Sequence, residues 1–165
     1  MLHRPEPREF FDPAVTFDWN SWSRSPECIG GVRLSFSDDL VIWSYEPKCV
    51  LVPRPGMWDC DKVGLAGPPL KTDRGWLTVY HGVDEKAVYR LGIMLLDLED
   101  PSRILRRQDE PILEPELPWE LEGDVPNVVF SNGGFLRGSE LWVYYGGADT
   151  VIGLAKADVT EFLEG

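Results

Sequence analysis

The chain has 165 residues, 43% of them apolar, which is enough for one packed domain. Its formal net charge of −12 argues against a general nucleic-acid or anionic-membrane surface, and no apolar run approaches the length of a transmembrane helix. Seven Trp, five Tyr, 16 Gly and 14 Pro point to many short strands joined by turns rather than to long helices.

In chain order, the opening Met1-Leu-His-Arg-Pro5 lacks the apolar stretch of a secretory signal, and a cytoplasmic location is expected. The cysteines Cys28, Cys49 and Cys60 are odd in number and without CxxC spacing. They read as small buried apolar residues in a reducing compartment rather than as a disulfide framework or zinc ligands. Gly30–Phe36 reads as a strand, and Ser35–Trp43 as a strand, a turn and a short edge strand. Thr72-Asp-Arg-Gly75 is turn chemistry ahead of the strand Trp76–Val83, which is followed by the strand Arg90–Asp97. A helical turn is expected near Asp100–Arg103. Arg137-Gly-Ser-Glu140 repeats the turn, Leu141–Ala148 and Val151–Asp158 repeat the two strands, and Val159–Leu163 offers a second helical turn.

These elements are periodic. Gly75-Trp-Leu-Thr-Val-Tyr-His-Gly-Val-Asp84 aligns with Glu140-Leu-Trp-Val-Tyr-Tyr-Gly-Gly-Ala-Asp149 at an offset of 65, and the strands that follow align at 61. Gly31, Gly92 and Gly153 stand 61 residues apart, and Trp58 recurs as Trp119, Glu46-Pro47 as Glu110-Pro111. Repeats of this length, each of several antiparallel strands, are the mark of propeller blades of about four strands. The expected fold is therefore all-β: one partial propeller domain with repeats of roughly 1–45, 46–106 and 107–165. Closed propellers have about 4–8 blades, so these repeats leave blade faces bare. The chain is then a fragment, one partner of a split protein, or a unit that closes by self-association.

From Trp58 to Asp149 the sequence resembles the β-mannoside phosphorylases and mannosidases of glycoside hydrolase family 130. The resemblance is carried by Lys62-Val-Gly-Leu-Ala-Gly-Pro-Pro69, Gly75-Trp-Leu-Thr-Val-Tyr-His-Gly82, Tyr89-Arg-Leu-Gly-Ile-Met-Leu-Leu-Asp-Leu-Glu-Asp-Pro101, Glu110-Pro-Ile-Leu-Glu-Pro115, Gly123-Asp-Val-Pro-Asn-Val-Val-Phe130 and Tyr144-Tyr-Gly-Gly-Ala-Asp149. It implies a five-bladed propeller whose central pocket binds a β-mannoside. Phosphate there attacks the anomeric carbon with inversion, giving mannose 1-phosphate, or water hydrolyses the bond. The resemblance sets Met1 at an internal position of the family, two blades downstream of its start. Those blades carry the aspartate that donates the proton, and this sequence has no match for it.

Phosphorolysis needs cations that hold an oxyanion against a sugar, whereas hydrolysis needs a second carboxyl as base. The resemblance assigns the phosphate-binding role to Arg4 and Lys62. It implies that His81 donates to a sugar hydroxyl and that Asp149 accepts from sugar hydroxyls. Asp124 lies near the repeat position of Lys62 and is either a pocket carboxylate or the ion-pair partner of a cation; Asn127 is a weaker candidate of the same segment. Asp84 reads as a solvated turn residue, and Glu110, Glu114 and Glu116 as a solvated face. Most Trp residues read as blade packing. No cofactor is expected beyond inorganic phosphate as co-substrate. The expected partners are a β-linked mannoside and the missing propeller half or a second copy, with no nucleic acid and no membrane. The rival readings are a non-catalytic, sugar-binding remnant and a hydrolase.

Overall fold

The computed structural model describes residues 2–3, 28–43 and 48–165, and these form three antiparallel sheets. The first holds β1 (Leu2–His3), β2 (Val32–Leu34) and β3 (Lys48–Leu51) in the order β1-β2-β3. The second holds β4 (Lys62–Leu65), β6 (Trp76–Val83), β7 (Tyr89–Leu96) and β8 (Ile104–Arg107) in that order, with the short β5 (Leu70–Lys71) also on β6. The third holds β9 (Val129–Arg137), β10 (Glu140–Gly147) and β11 (Val151–Asp158) in the order β11-β10-β9. Among the described residues only the middle sheet has the four successive strands expected of each blade. The sheets do not close into a ring, so the fold is part of a β-propeller.

Side chains alternate across a strand, and the middle sheet is apolar on both faces. Tyr80, Met94 and Leu96 turn toward Val32 and Leu51 of the first sheet, with Trp76 at the margin. Leu77, Val79, Leu91, Ile93 and Leu95 turn toward Val129, Leu141, Val143 and Tyr145 of the third. Each fully buried Leu or Ile in these layers contributes about 1.5–3 kcal/mol. Among the described residues the third sheet is covered on one face only: along β10, Leu141, Val143 and Tyr145 are buried, while Trp142 and Tyr144 keep solvent contact.

The repeat has a physical basis in a four-residue cassette. In the middle sheet the Tyr80 hydroxyl donates to the Asp59 carboxylate at 3.0 Å, and Trp58 stacks on the Tyr80 ring at 5.7 Å. Gly92 leaves room for that ring, since a β-carbon there would stand 2.5 Å from Tyr80 Cζ. In the third sheet the Tyr145 hydroxyl donates to Glu120 at 2.5 Å, and Gly153 makes room for the Tyr145 ring. Trp58, Asp59 and Gly92 thus correspond to Trp119, Glu120 and Gly153 at the same offset of 61.

Several local expectations change. Residues 35–43 form bends instead of a strand–turn–strand unit, because Asp39 Oδ1 accepts from the N–H groups of Val41 and Ile42 and Ser37 Oγ accepts from that of Leu40. Residues 100–103 are a turn rather than a helix; Asp97 accepts from the backbone of Glu99 and Asp100, and Asp100 from that of Ser102. The helical turn at the C-terminus is present as α2 (Thr160–Glu164), and an unexpected α1 (Pro118–Leu121) places Glu120. Cys28 and Cys49 are joined in a disulfide with a Cα–Cα distance of 5.8 Å, and Cys60 alone is free. The pairing follows from the fold, which lays the segment before β2 beside β3; no spacing rule announces it.

Candidate functional site

Lys62, at the start of β4, is paired with Val83 at the end of β6. Its Nζ lies 4.9 Å from the centroid of the Tyr89 ring, a cation–π contact contributed by the first residue of β7. Among the described residues no carboxylate forms an ion pair with Lys62. His81 is buried on β6, its ring 4.7 Å from that of Phe130 and 6.0 Å from that of Tyr89. Gly64 faces it across β4 and β6, and a β-carbon at that position would stand 2.5 Å from His81 Cε1. Lys62, Tyr89, His81 and Phe130 therefore form one aromatic–cationic cluster.

The segment 124–128 connects that cluster to the hairpin of the third sheet. The Tyr89 N–H donates to the Asn127 carbonyl at 3.0 Å, and the Val125 N–H to the Ala148 carbonyl at 3.2 Å. The Asp124 N–H donates to Thr150 Oγ1 at 3.3 Å. Asp124 and Asp149 are exposed and lie on adjoining loops at the end of the sheets that also carries Lys62 and His81. Asn127, Ala148 and Asp149 all have positive φ, at 60°, 45° and 54°. A non-glycine residue there is strained, and such residues gather at binding sites. The structure thus brings four of the five candidate positions to one end, Lys62 and His81 around the Tyr89 ring, and Asp124 and Asp149 on adjoining loops joined by backbone bonds. The fifth, Arg4, lies outside the described residues.

Asp84 is not a solvated turn residue. It pairs with Arg90 at 2.9 Å and caps the N–H groups of Lys86 and Val88. Burial works against its charge, but Arg90 and the two N–H groups outweigh that cost and hold its carboxyl below the usual range. Arg90 also reaches Glu114 at 3.0 Å, so one glutamate of the supposed solvated face ties the β6–β7 hairpin to the loop before α1. Tyr89 and Phe130 are the neighbours that the sequence reading passed over. Each was visible only as an aromatic at a strand start, and their meeting depends on the bridge between Tyr89 and Val128. A groove of about 510 Å³ lies at the opposite end, beside Thr72–Arg74 and Gly138–Ser139, away from all these groups.

The sequence profile of a family described as beta-1,4-mannooligosaccharide phosphorylase matches residues 22–164. The chain belongs to glycoside hydrolase family 130. Within that family it is 57% identical over 130 residues to a 1,2-beta-oligomannan phosphorylase of Thermoanaerobacter sp., a match covering 79% of this chain and 44% of that protein. It is 43% identical over 110 residues to a beta-1,2-mannobiose phosphorylase of Listeria innocua, covering 67% of this chain and 31% of the relative. The solved structure of the Listeria innocua beta-1,2-mannobiose phosphorylase with beta-1,2-mannobiose superimposes with a TM-score of 0.80 at 34% identity, over 98% of this chain and 41% of that one. The chain thus spans less than half the length of these family 130 relatives.

Proposed function

We propose that this chain supplies the phosphate- and sugar-binding part of a β-mannoside phosphorylase. The reaction is the attack of inorganic phosphate on the anomeric carbon of a β-mannoside, releasing the acceptor sugar and forming mannose 1-phosphate. The observation that supports it most is the ammonium group of Lys62, held over the Tyr89 ring and paired to no carboxylate among the described residues, in a chain of net charge −12. A cation kept free of neutralising partners is what an oxyanion co-substrate needs. Arg4 is the second proposed phosphate ligand. His81, Asp149 and Asp124 are proposed to orient the mannosyl hydroxyls, with carboxylates accepting and the imidazole donating.

The proton for the leaving oxygen is proposed to come from the part of the longer relatives that this chain does not span. The repeats 1–45, 46–106 and 107–165 are proposed to be successive blades of the single propeller domain. Relatives at 57% and 43% identity act on β-1,2 linkages and one at 32% on β-1,4, which favours a β-1,2-mannoside here. We place the reaction in the cytoplasm, where a doubly charged sugar phosphate is retained by a membrane that it cannot cross.

The test is a fusion of this chain behind the N-terminal portion of the Thermoanaerobacter phosphorylase, assayed on β-1,2-mannobiose with and without phosphate. Phosphate-dependent formation of mannose 1-phosphate is expected. Release of free mannose at an equal rate without phosphate would assign the site to hydrolysis, and binding without turnover would assign it to sugar recognition alone.

A further inference from the structure

Lys62, Val83 and Tyr89 are register neighbours across β4, β6 and β7, and the Lys62 ammonium reaches along that row to the Tyr89 ring. Where the ring stands therefore governs where the cation stands. Tyr89 is the first residue of β7, directly after the turn 84–88, and the ends of elements beside turns are where a fold opens most readily. Its N–H is held by the Asn127 carbonyl at 3.0 Å, and its ring is flanked by His81 at 6.0 Å and Phe130 at 6.2 Å.

The next residue, Arg90, is built into that turn. Its Nη1 donates to Asp84 Oδ2 at 2.9 Å and its Nε to Glu114 Oε2 at 3.0 Å, with the Arg90 and Asp84 side chains only 18% and 19% exposed. Asp84 Oδ1 accepts from the N–H groups of Lys86 and Val88, so one carboxylate both closes the turn and receives the guanidinium. Ala87 inside the turn has a φ of 60°, a conformation that its surroundings must hold. Glu114 follows Leu113, whose carbonyl accepts from the Leu91 N–H at 2.9 Å, so the loop that Arg90 grips is itself fixed to β7. Side chains alternate along a strand, so Arg90 faces away from the side that Tyr89 and Lys62 share. The third sheet shows the same hairpin without this clamp. Asp149 stands at the repeat position of Asp84, but that of Arg90 is taken by Val151, and Asp149 forms no ion pair among the described residues.

We infer that Arg90 is a positioning residue for phosphate use: it locks the turn 84–88 to the loop of Glu114 and so holds the Tyr89 ring against the Lys62 ammonium. The inference rests on the reading of Lys62 as the phosphate cation. A planar guanidinium can fork onto two carboxylates at once, whereas an ammonium in its place is a point charge without that geometry. With the fork gone, the turn and the ring sample other positions, and the apparent affinity for phosphate falls in proportion to the fraction of molecules that still hold the cation in place. The mannoside, which does not depend on that ammonium, is spared.

Two measurements on the same fusion test it. The first is the NMR signal of the Lys62 ε-methylene protons, which a ring at this distance shifts upfield; a Tyr89→Leu fusion supplies the unshifted position. Arg90→Ala should move the signal most of the way to that position, and Arg90→Lys part of the way. A signal that stays at the parent's position with the clamp broken overturns the inference. The second is kinetic. Arg90→Ala should raise the KM for phosphate about 2–30-fold, the range of a lost cation–π contact, with little change for β-1,2-mannobiose. In a Lys62→Ala background the same substitution should raise it no further. An equal rise in both backgrounds, or an equal rise for both substrates, would make Arg90 a general support of the fold and overturn the inference. Should Arg90→Ala not fold, Glu114→Gln, which removes only the more exposed of the two pairs, carries the same expectations. If Lys62→Ala itself leaves the KM for phosphate unchanged, the reading of the site fails, while the methylene signal still decides whether Arg90 places the ring.

Discussion

Lys62 and His81 share one cluster but are asked for different interactions, and single substitutions separate them. In the active fusion, Lys62→Ala removes a charge-assisted contact worth about 1.5–3 kcal/mol, so the KM for phosphate should rise roughly 10–150-fold with a much smaller change for the mannoside. His81→Ala should show the opposite split. Equal effects of Lys62→Ala on both substrates would remove the lysine from the phosphate site. Glu120 offers a pH-dependent test. Burial raises its pKa, but the Tyr145 hydroxyl and the N–H groups of Glu116 and Leu117 more than compensate, and the carboxyl lies below its ordinary value of 4.5. A group with a depressed folded pKa stabilises the fold above its unfolded pKa, and that contribution is lost as pH falls through the folded value. Tyr145→Phe should therefore lower the melting temperature by several degrees at pH 7, for a loss of about 1.5–3 kcal/mol. The gap between the two proteins should narrow in acid, once Glu120 is protonated; thermal melts from pH 7 to pH 3 with a constant gap would contradict this. The Tyr145 phenol, pushed up to about 12 by burial and the adjacent carboxylate, stays neutral throughout.

Among the elements, the middle sheet is held by the most concentrated polar node. Asp59 is fully buried and accepts from Arg54 at 3.0 Å, from Arg107 at 2.6 Å and from Tyr80 at 3.0 Å, binding β6, β8 and the loop before β4. Asp59→Asn leaves two guanidinium groups close together, Arg107 without the carboxylate it pairs with and Arg54 with only the exposed Asp109. Loss of about 3 kcal/mol is expected, near the lower end for a broken buried pair because both arginines keep some solvent contact. A urea midpoint within error of the parent's would show that solvent screens this node. The same cassettes explain what could be read in advance. Gly92 and Gly153 recur because each tyrosine ring needs a buried acceptor and a missing β-carbon at fixed distances along the chain, and Trp58 adds a stacking partner for Tyr80. The carboxylates Asp59 and Glu120 escaped notice because Asp and Glu differ in type, and one lies in a loop while the other lies in a single helical turn, each among other charges. The four-residue α1 is too short for a 3.6-residue period to show. At the site, Lys62, His81 and Asp149 could be singled out by resemblance, whereas Tyr89 could not. Its contact with Lys62 joins two strands across the end of a sheet, and pattern within one strand carries no trace of it.

For the whole molecule, copies that meet through the face of the third sheet left uncovered among the described residues and any different surface of the next copy would join heterologously. Such contacts add subunits without a natural stop unless the rotation closes a ring. Sedimentation of the isolated chain should show a mean mass that climbs with concentration past the dimer, and Ile152→Lys should lower it by charging the bare face. A monomer at every concentration would show that the face tolerates water. The Arg106 clamp on α2 has a mechanical consequence as well. A pull applied at Gly165 is taken up first by Arg106 and so by β8, not by the hydrogen-bonded zipper of β10 and β11. Under tension the tail should peel from the middle sheet before the third sheet unzips, and a fluorophore attached there would report the neighbouring blade rather than the one whose sequence it follows.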